Sequence, residues 1–215
     1  MERGNEWSVR VAAAVGRRVA HFRKQADLTG VMLSARCAEL GLPLDRNVLA
    51  KLENGHRRSV TVDEVFVLAA ALGVAPALLL FGVGAEATVE ALPERQVPPF
   101  RAVQWFGGEG PVPEPGSEAH LALGAPGAAR VLEIYREHDR AAAEELRAGQ
   151  TAHELEKLTV TAGTEAQRAA LRVAVETQDR AAREFRDIGR RLREEATRKG
   201  WEPPAVILPV SGGAE

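Results

Sequence analysis

The run Leu52-Glu53-Asn54-Gly55-His56-Arg57-Arg58 joins a helix end to a basic loop. It falls late in a stretch, Val15 to Leu80, that divides into five short helices. Just upstream, Leu44, Val48, Leu49 and Leu52 recur at helical spacing and bury one face, so Arg46, Asn47 and Lys51 point away from it. Gly55 supplies the left-handed residue that ends a helix. A chain cut this finely, with one apolar stripe per piece, packs as a small helical bundle.

The other pieces carry their own signals. A first helix, about Val9 to Gln25, aligns Val11, Val15, Val19 and Phe22, with Arg17, Arg18 and Lys24 on other faces, where they touch phosphate or only solvate the surface. Thr29 is the expected N-cap of a second helix on which Leu33, Cys37 and Leu40 share a face. Asp45 is the expected N-cap of the third, placing Arg46 and Asn47 in its first turn. Thr61 and Glu64 form a capping box for the fourth, and Pro76 opens the fifth.

Arg23-Lys24, Leu28-Thr29, Leu52-Glu53-Asn54-Gly55 and Leu68-Ala69-Ala70-Ala71-Leu72-Gly73-Val74 occur in the order and spacing of a known family. From about Val15 to Phe81, roughly a third of the chain, the sequence resembles the Cro/repressor-type helix-turn-helix family, also called the xenobiotic-response-element family. The resemblance implies a lambda-repressor-like domain of five helices that reads the DNA major groove with helix 3. It also implies a buried ion pair between Arg23 and Glu53. Arg46, Asn47 and Lys51 are then the base-reading residues: Arg46 suits guanine O6 and N7, and Asn47 suits adenine N6 and N7. Thr29, Gly30, Asn54, Gly55, His56, Arg57 and Arg58 are expected on the phosphates, or else form a solvated basic surface. Two departures stand out. Gly30 occupies a position where the family commonly has glutamine, and the stretch from Thr29 to Arg46 is about five residues longer than in lambdoid repressors. Elongated turns of this kind, with a Trp-x-Pro-Pro tail, resemble actinobacterial regulators.

Charge is distributed to match. Residues 1–84 hold eleven Lys and Arg against eight Asp and Glu, net +3, leaving 17 against 22, net −5, for the remainder. A basic head with an acidic remainder suits DNA contact through the head alone. The single cysteine, Cys37, excludes an internal disulfide and reads as a small core residue. Residues 1–14 carry Glu2, Arg3, Glu6 and Arg10 where a secretory signal would be apolar. Val65 to Ala85 holds 21 uncharged residues, but Gly73 and Pro76 divide it into two core helices instead of a membrane span. The expected location is the cytoplasm of a bacterium, on the nucleoid.

Beyond the head, residues 93–127 contain Pro93, Pro98, Pro99, Pro111, Pro113, Pro115 and Pro126. That is too many breakers for a helix, with too few β-branched residues for a sheet. The expected organisation is a head over 9–84, a linker over 85–127, a helical hairpin or coiled coil over 128–200, and an extended tail over 201–215. Phe100, Trp105 and Phe106 are aromatic residues that dock on the first domain or on a partner. Two long helices are expected, about Ala128 to Leu158 and Glu165 to Lys199. The second carries a seam of Leu171, Ala174, Gln178, Ala181, Phe185, Ile188 and Leu192. The first carries a weaker stripe of Leu132, Tyr135, Ala142, Leu146, Leu155 and Leu158. The hairpin either stabilises itself or joins a second subunit, and its alanine-rich seam is expected to leave little volume for a ligand. The tail packs back on the hairpin or pairs with another chain.

Enzymatic chemistry finds no support. The histidines at 21, 56, 120, 138 and 153 show no metal-ligand spacing, and neither a nucleophile elbow nor a phosphate loop is present. No metal, cofactor or membrane partner is expected. The sequence thus points to an all-α, sequence-specific regulator that binds double-stranded DNA, a dimeric repressor joined through its C-terminal helices. The alternative is a protein-interaction adaptor, antitoxin-like, whose C-terminal helices bind another protein.

Overall fold

The structure, a computed structural model, describes residues 2–110 and 130–205. It is predominantly helical, and the chain divides into two compact units, residues 1–123 and 124–215. The sequence-predicted segments 111–129 and 206–215 lie outside the described residues.

Five helices open the first unit: α1 (Glu2–Gln25), α2 (Gly30–Glu39), α3 (Arg46–Glu53), α4 (Val62–Leu72) and α5 (Pro76–Phe81). Helix α1 begins at Glu2, seven residues before Val9. Each later start has its signal in place. Thr29 Oγ1 accepts from the Met32 amide, Asp45 Oδ1 accepts from the Asn47 amide, Thr61 and Glu64 close a capping box, and Pro76 sits in the first turn of α5. Val15, Val19, Leu33, Cys37, Leu49, Leu52, Leu68 and Leu79 form one buried core. Ser34 Oγ donates to the Leu44 carbonyl at 2.6 Å, tying α2 to the long turn that precedes α3.

The stretch expected to be an unstructured linker is, over residues 89–106, built structure. Strands β1 (Val89–Leu92) and β2 (Arg95–Val97) pair antiparallel, and helix α6 (Pro99–Phe106) follows. The prolines that argued against order fall where order tolerates them. Pro93 occupies the hairpin turn beside Glu94, which takes the positive φ of 64°, while Pro98 caps α6 and Pro99 lies in its first turn. Val89, Ala91 and Ala102 bury against Phe81 in a second small core. Phe106 meets Phe81 edge to face at 5.7 Å, although both Phe106 and Phe100 remain exposed.

The second unit is an antiparallel pair, α7 (Arg130–Thr161) and α8 (Glu165–Arg198), with Thr164 and Gln167 forming a capping box at the start of α8. Helix α7 runs through Thr159 and Thr161, which were expected in the loop. Its buried residues are Ile134, His138, Ala141, Ala148 and Ala152, alternating near-heptad intervals. Of the stripe expected to face α8, Tyr135, Ala142 and Leu155 are half-buried, whereas Leu132, Leu146 and Leu158 are exposed. On α8 the expected seam faces inward: Leu192 is buried and Leu171, Ala174, Gln178, Ala181, Phe185 and Ile188 are half-buried, with Ala182 and Ala196 buried beside them. Ala141, Ala148, Ala152 and Ala182 let the two helices approach closely, beside the larger Ile134, His138 and Leu192. Residues 201–205 fold back on the hairpin. Tyr135 Oη donates to the Glu202 carbonyl, Trp201 packs with Ile134 and Leu192, and Pro204 is fully buried. No helix among the described residues is long and apolar enough to cross a membrane.

Candidate nucleic-acid interface

Helix α3 is fixed from behind. Leu49 and Leu52 are each 1% exposed, while Arg46, Asn47, Ala50 and Lys51 are open to solvent. Leu44, immediately before the helix, is also buried. With the inner face locked, the three polar side chains form a row on one rigid surface, the presentation that hydrogen bonding to base edges requires.

The end of α3 is held by charge. Arg23 Nε and Nη2 each donate to one Glu53 carboxylate oxygen at 2.7 Å, and Nη1 donates to the Leu28 carbonyl at 2.8 Å. Both side chains are largely buried, at 16% and 14% exposure. The hydrogen bond to Glu53 holds the Arg23 guanidinium above its ordinary pKa despite the opposing effect of burial. This is the pairing that the family resemblance implies.

Thr29 and Gly30 begin α2 beside the start of α3: a Cβ placed on Gly30 would lie 3.9 Å from Arg46 Cγ. A small side chain at this position would therefore touch the Arg46 stem at ordinary van der Waals distance. Thr29 is exposed, and its hydroxyl is engaged as the helix cap. After α3, Asn54 is the C-cap, Gly55 takes φ 71°, and His56 and Arg58 are exposed.

Arg57 is placed differently from its expected neighbours. Its Nη1 donates to Glu64 Oε1 at 2.6 Å, and Glu64 Oε2 accepts from the Thr61 amide at 3.0 Å. Burial raises the Glu64 pKa, but the Arg57 hydrogen bond, the Thr61 amide and the Arg57 charge outweigh it and hold the carboxyl below the usual range. Arg57 thus anchors the loop to the capping box of α4, leaving His56 and Arg58 as the loop's exposed basic side chains.

Arg18 was expected on an outer face and is instead 5% exposed. Its guanidinium donates to both Glu86 carboxylate oxygens at 2.9 Å and to the Leu79 and Leu80 carbonyls. The signal was present in the spacing, since residue 18 follows Val15 by three and precedes Phe22 by four, within the apolar stripe. Arg10 makes a second link, a bidentate pair with Glu90 at 2.7 Å. Glu86 and Glu90 lie in the segment read as linker, so the sequence offered these arginines no visible partner.

Cys37 is fully buried, and burial raises its thiol pKa. Among the described residues no group of three or more His, Cys, Asp or Glu could hold a metal ion. On the flank of the α7–α8 pair, where the alanine-rich seam was expected to leave little volume, there is a hollow of about 760 Å³. Comparison with family models, curated proteins and solved structures finds no match to this chain.

Proposed function

We propose that the chain is a sequence-specific regulator of transcription that binds double-stranded DNA through the solvent face of α3, as a helix-turn-helix protein of the Cro/repressor type. The observation that carries this reading is the exposed row of Arg46, Asn47 and Lys51 on a helix whose opposite face is buried and whose end is locked by the Arg23–Glu53 pair. Arg46 and Asn47 read bases from the first turn, and Lys51 reaches a base or a phosphate. Thr29, Gly30, Asn54, Gly55, His56 and Arg58 lie along the sugar-phosphate backbone, and Arg57 supports the loop that presents them. The protein acts without catalysis or cofactor, in the bacterial cytoplasm. It works as a homodimer joined through α7 and α8, repressing by occupying a pseudo-palindromic site with half-sites about 34–36 Å apart.

Selection of bound sequences from a random duplex pool by the full-length protein, at two salt concentrations, tests this reading. The expected result is an inverted repeat whose retention falls as salt rises. Binding without an enriched motif, or no binding at all, overturns it. A second reading, a protein-interaction adaptor, is favoured by the apolar flank of α7, where Leu132, Leu146 and Leu158 are exposed.

A further inference from the structure

We infer that the outer face of α7 joins two copies of this chain, the helices running antiparallel about a two-fold axis at Leu146; this rests on the homodimer of the reading above and gives it a face and a direction. Leu132, Asp139, Leu146, His153 and Val160 follow one another at seven-residue intervals, and all five are exposed. Because α7 buries residues at near-heptad intervals against α8, the same period keeps these five on one outer stripe. An apolar residue stands at its centre and another two heptads away on either side.

The stripe complements itself only when reversed. An antiparallel copy centred on Leu146 sets Leu132 opposite the partner's Val160 and Asp139 opposite the partner's His153, so apolar meets apolar and acid meets base on both sides of the axis. A parallel copy would set Asp139 against Asp139. Within the chain, Asp139 stands 3.7 Å from His138 Nδ1 and His153 Nδ1 stands 3.9 Å from Glu156, both beyond hydrogen-bond reach, so each is open to a partner across the axis. At the centre, Ala142, Glu145, Leu146 and Gly149 stand at i, i+3, i+4 and i+7 and border a hollow of about 540 Å³. Those four positions outline the hole that receives one knob from a facing helix, here the partner's Leu146. A Cβ on Gly149 would meet nothing within 4 Å, so alanine there, as at position 142, leaves the hole open. The occupant is a second copy of the chain, because both the charge order and the apolar order of the stripe match the stripe itself.

Light scattering of the full-length protein without DNA measures the oligomeric state, and a short bismaleimide, able to link helices whose axes are about 8–10 Å apart, measures the direction. Wild type is the blank, since its one cysteine, Cys37, is fully buried. The expected mass is that of a dimer, and Leu146→Cys is expected to cross-link to itself. Leu132→Cys and Val160→Cys, about 42 Å apart along α7, should each stay unlinked alone and link when the two variants are mixed and equilibrated. Leu146→Arg, which sets two cations at the axis, should weaken the dimer by about a hundredfold or more with helicity unchanged. Self-linking of Leu132→Cys means a parallel pair and overturns the proposal. So does a dimer that links at none of these positions or survives Leu146→Arg, which leaves the homodimer standing on another face. A monomeric mass overturns the proposal and the homodimer together, while DNA binding is judged separately by the sequence selection above.

Discussion

Gly16 on α1 and Leu52 on α3 lie in backbone contact: a Cβ added to Gly16 would stand 1.9 Å from the Leu52 carbonyl oxygen. The two helices cross at this point with no side chain between them, and the crossing sets the depth at which α3 sits. Gly16→Ala is expected to destabilise the first unit by about 2–3 kcal/mol through overpacking, against the usual preference of helices for alanine. Gly149→Ala, on α7 with nothing within 4 Å, is the matched control and should gain about 0.5–1 kcal/mol. Urea denaturation of both variants measures the contrast.

The Arg23–Glu53 pair predicts a non-additive cycle. Glu53→Gln removes the charge that compensates a largely buried guanidinium, with an expected loss of about 3 kcal/mol. Arg23→Met combined with Glu53→Leu should recover most of that loss, because neither charge then remains buried. A double-mutant cycle by denaturant unfolding reports it.

Acid should weaken the first unit in a defined direction. Glu64 and Glu90 both have folded-state pKa values below the ordinary 4.5, Glu64 for the reasons given above and Glu90 chiefly through its hydrogen bonds from Arg10. A depressed carboxyl contributes stability that is complete above the unfolded value and is lost as pH falls through the folded one. The melting temperature is therefore expected to drop below pH 4.5, with a shallower acid slope in Glu64→Gln.

On the proposed DNA-binding reading, Arg46→Ala and Asn47→Ala should each cost about 1–3 kcal/mol on the preferred site and relax its sequence at one position. Arg58→Ala should weaken all duplexes alike and lower the salt slope by about one. Arg57→Ala should lower the melting temperature more than it lowers DNA affinity, because the guanidinium is held by Glu64. Gel shifts at several salt concentrations, alongside thermal melts, separate these outcomes.

Cys37 is expected to be silent to thiol reagents in the native protein, since burial both hides the sulfur and raises its pKa. Reaction with Ellman's reagent should appear only with unfolding, and an immediate native-state reaction would contradict the packing of α2.

Local rules made the first five helices legible, since Thr29, Asp45, Thr61 with Glu64, Gly55 and Pro76 each act within one helical turn of their own position. The outward row on α3 was readable for the same reason. Partnerships across many residues were not. Arg18 and Glu86 are 68 positions apart, and the apolar spacing that includes Arg18 announces burial without naming a counter-charge. Composition misled over residues 89–106 because a count of prolines ignores where each one falls. On α8 the spacing alone sufficed, since all seven expected seam residues are buried or half-buried, whereas α7 buries Ile134, His138, Ala141, Ala148 and Ala152, a mixed set that ranking by hydrophobicity does not pick out.

Anyone dissecting this chain should place the cut by charge and not by composition. A fragment ending at residue 84 would keep the whole five-helix core, yet it would discard Glu86 and Glu90. The Arg18 guanidinium would then be left inside the protein as an orphan cation, and Arg10 without its clasp. A head that keeps both ion pairs must run past Glu90, and the segment that resembled a tether supplies the carboxylates that meet Arg10 and Arg18 of helix α1.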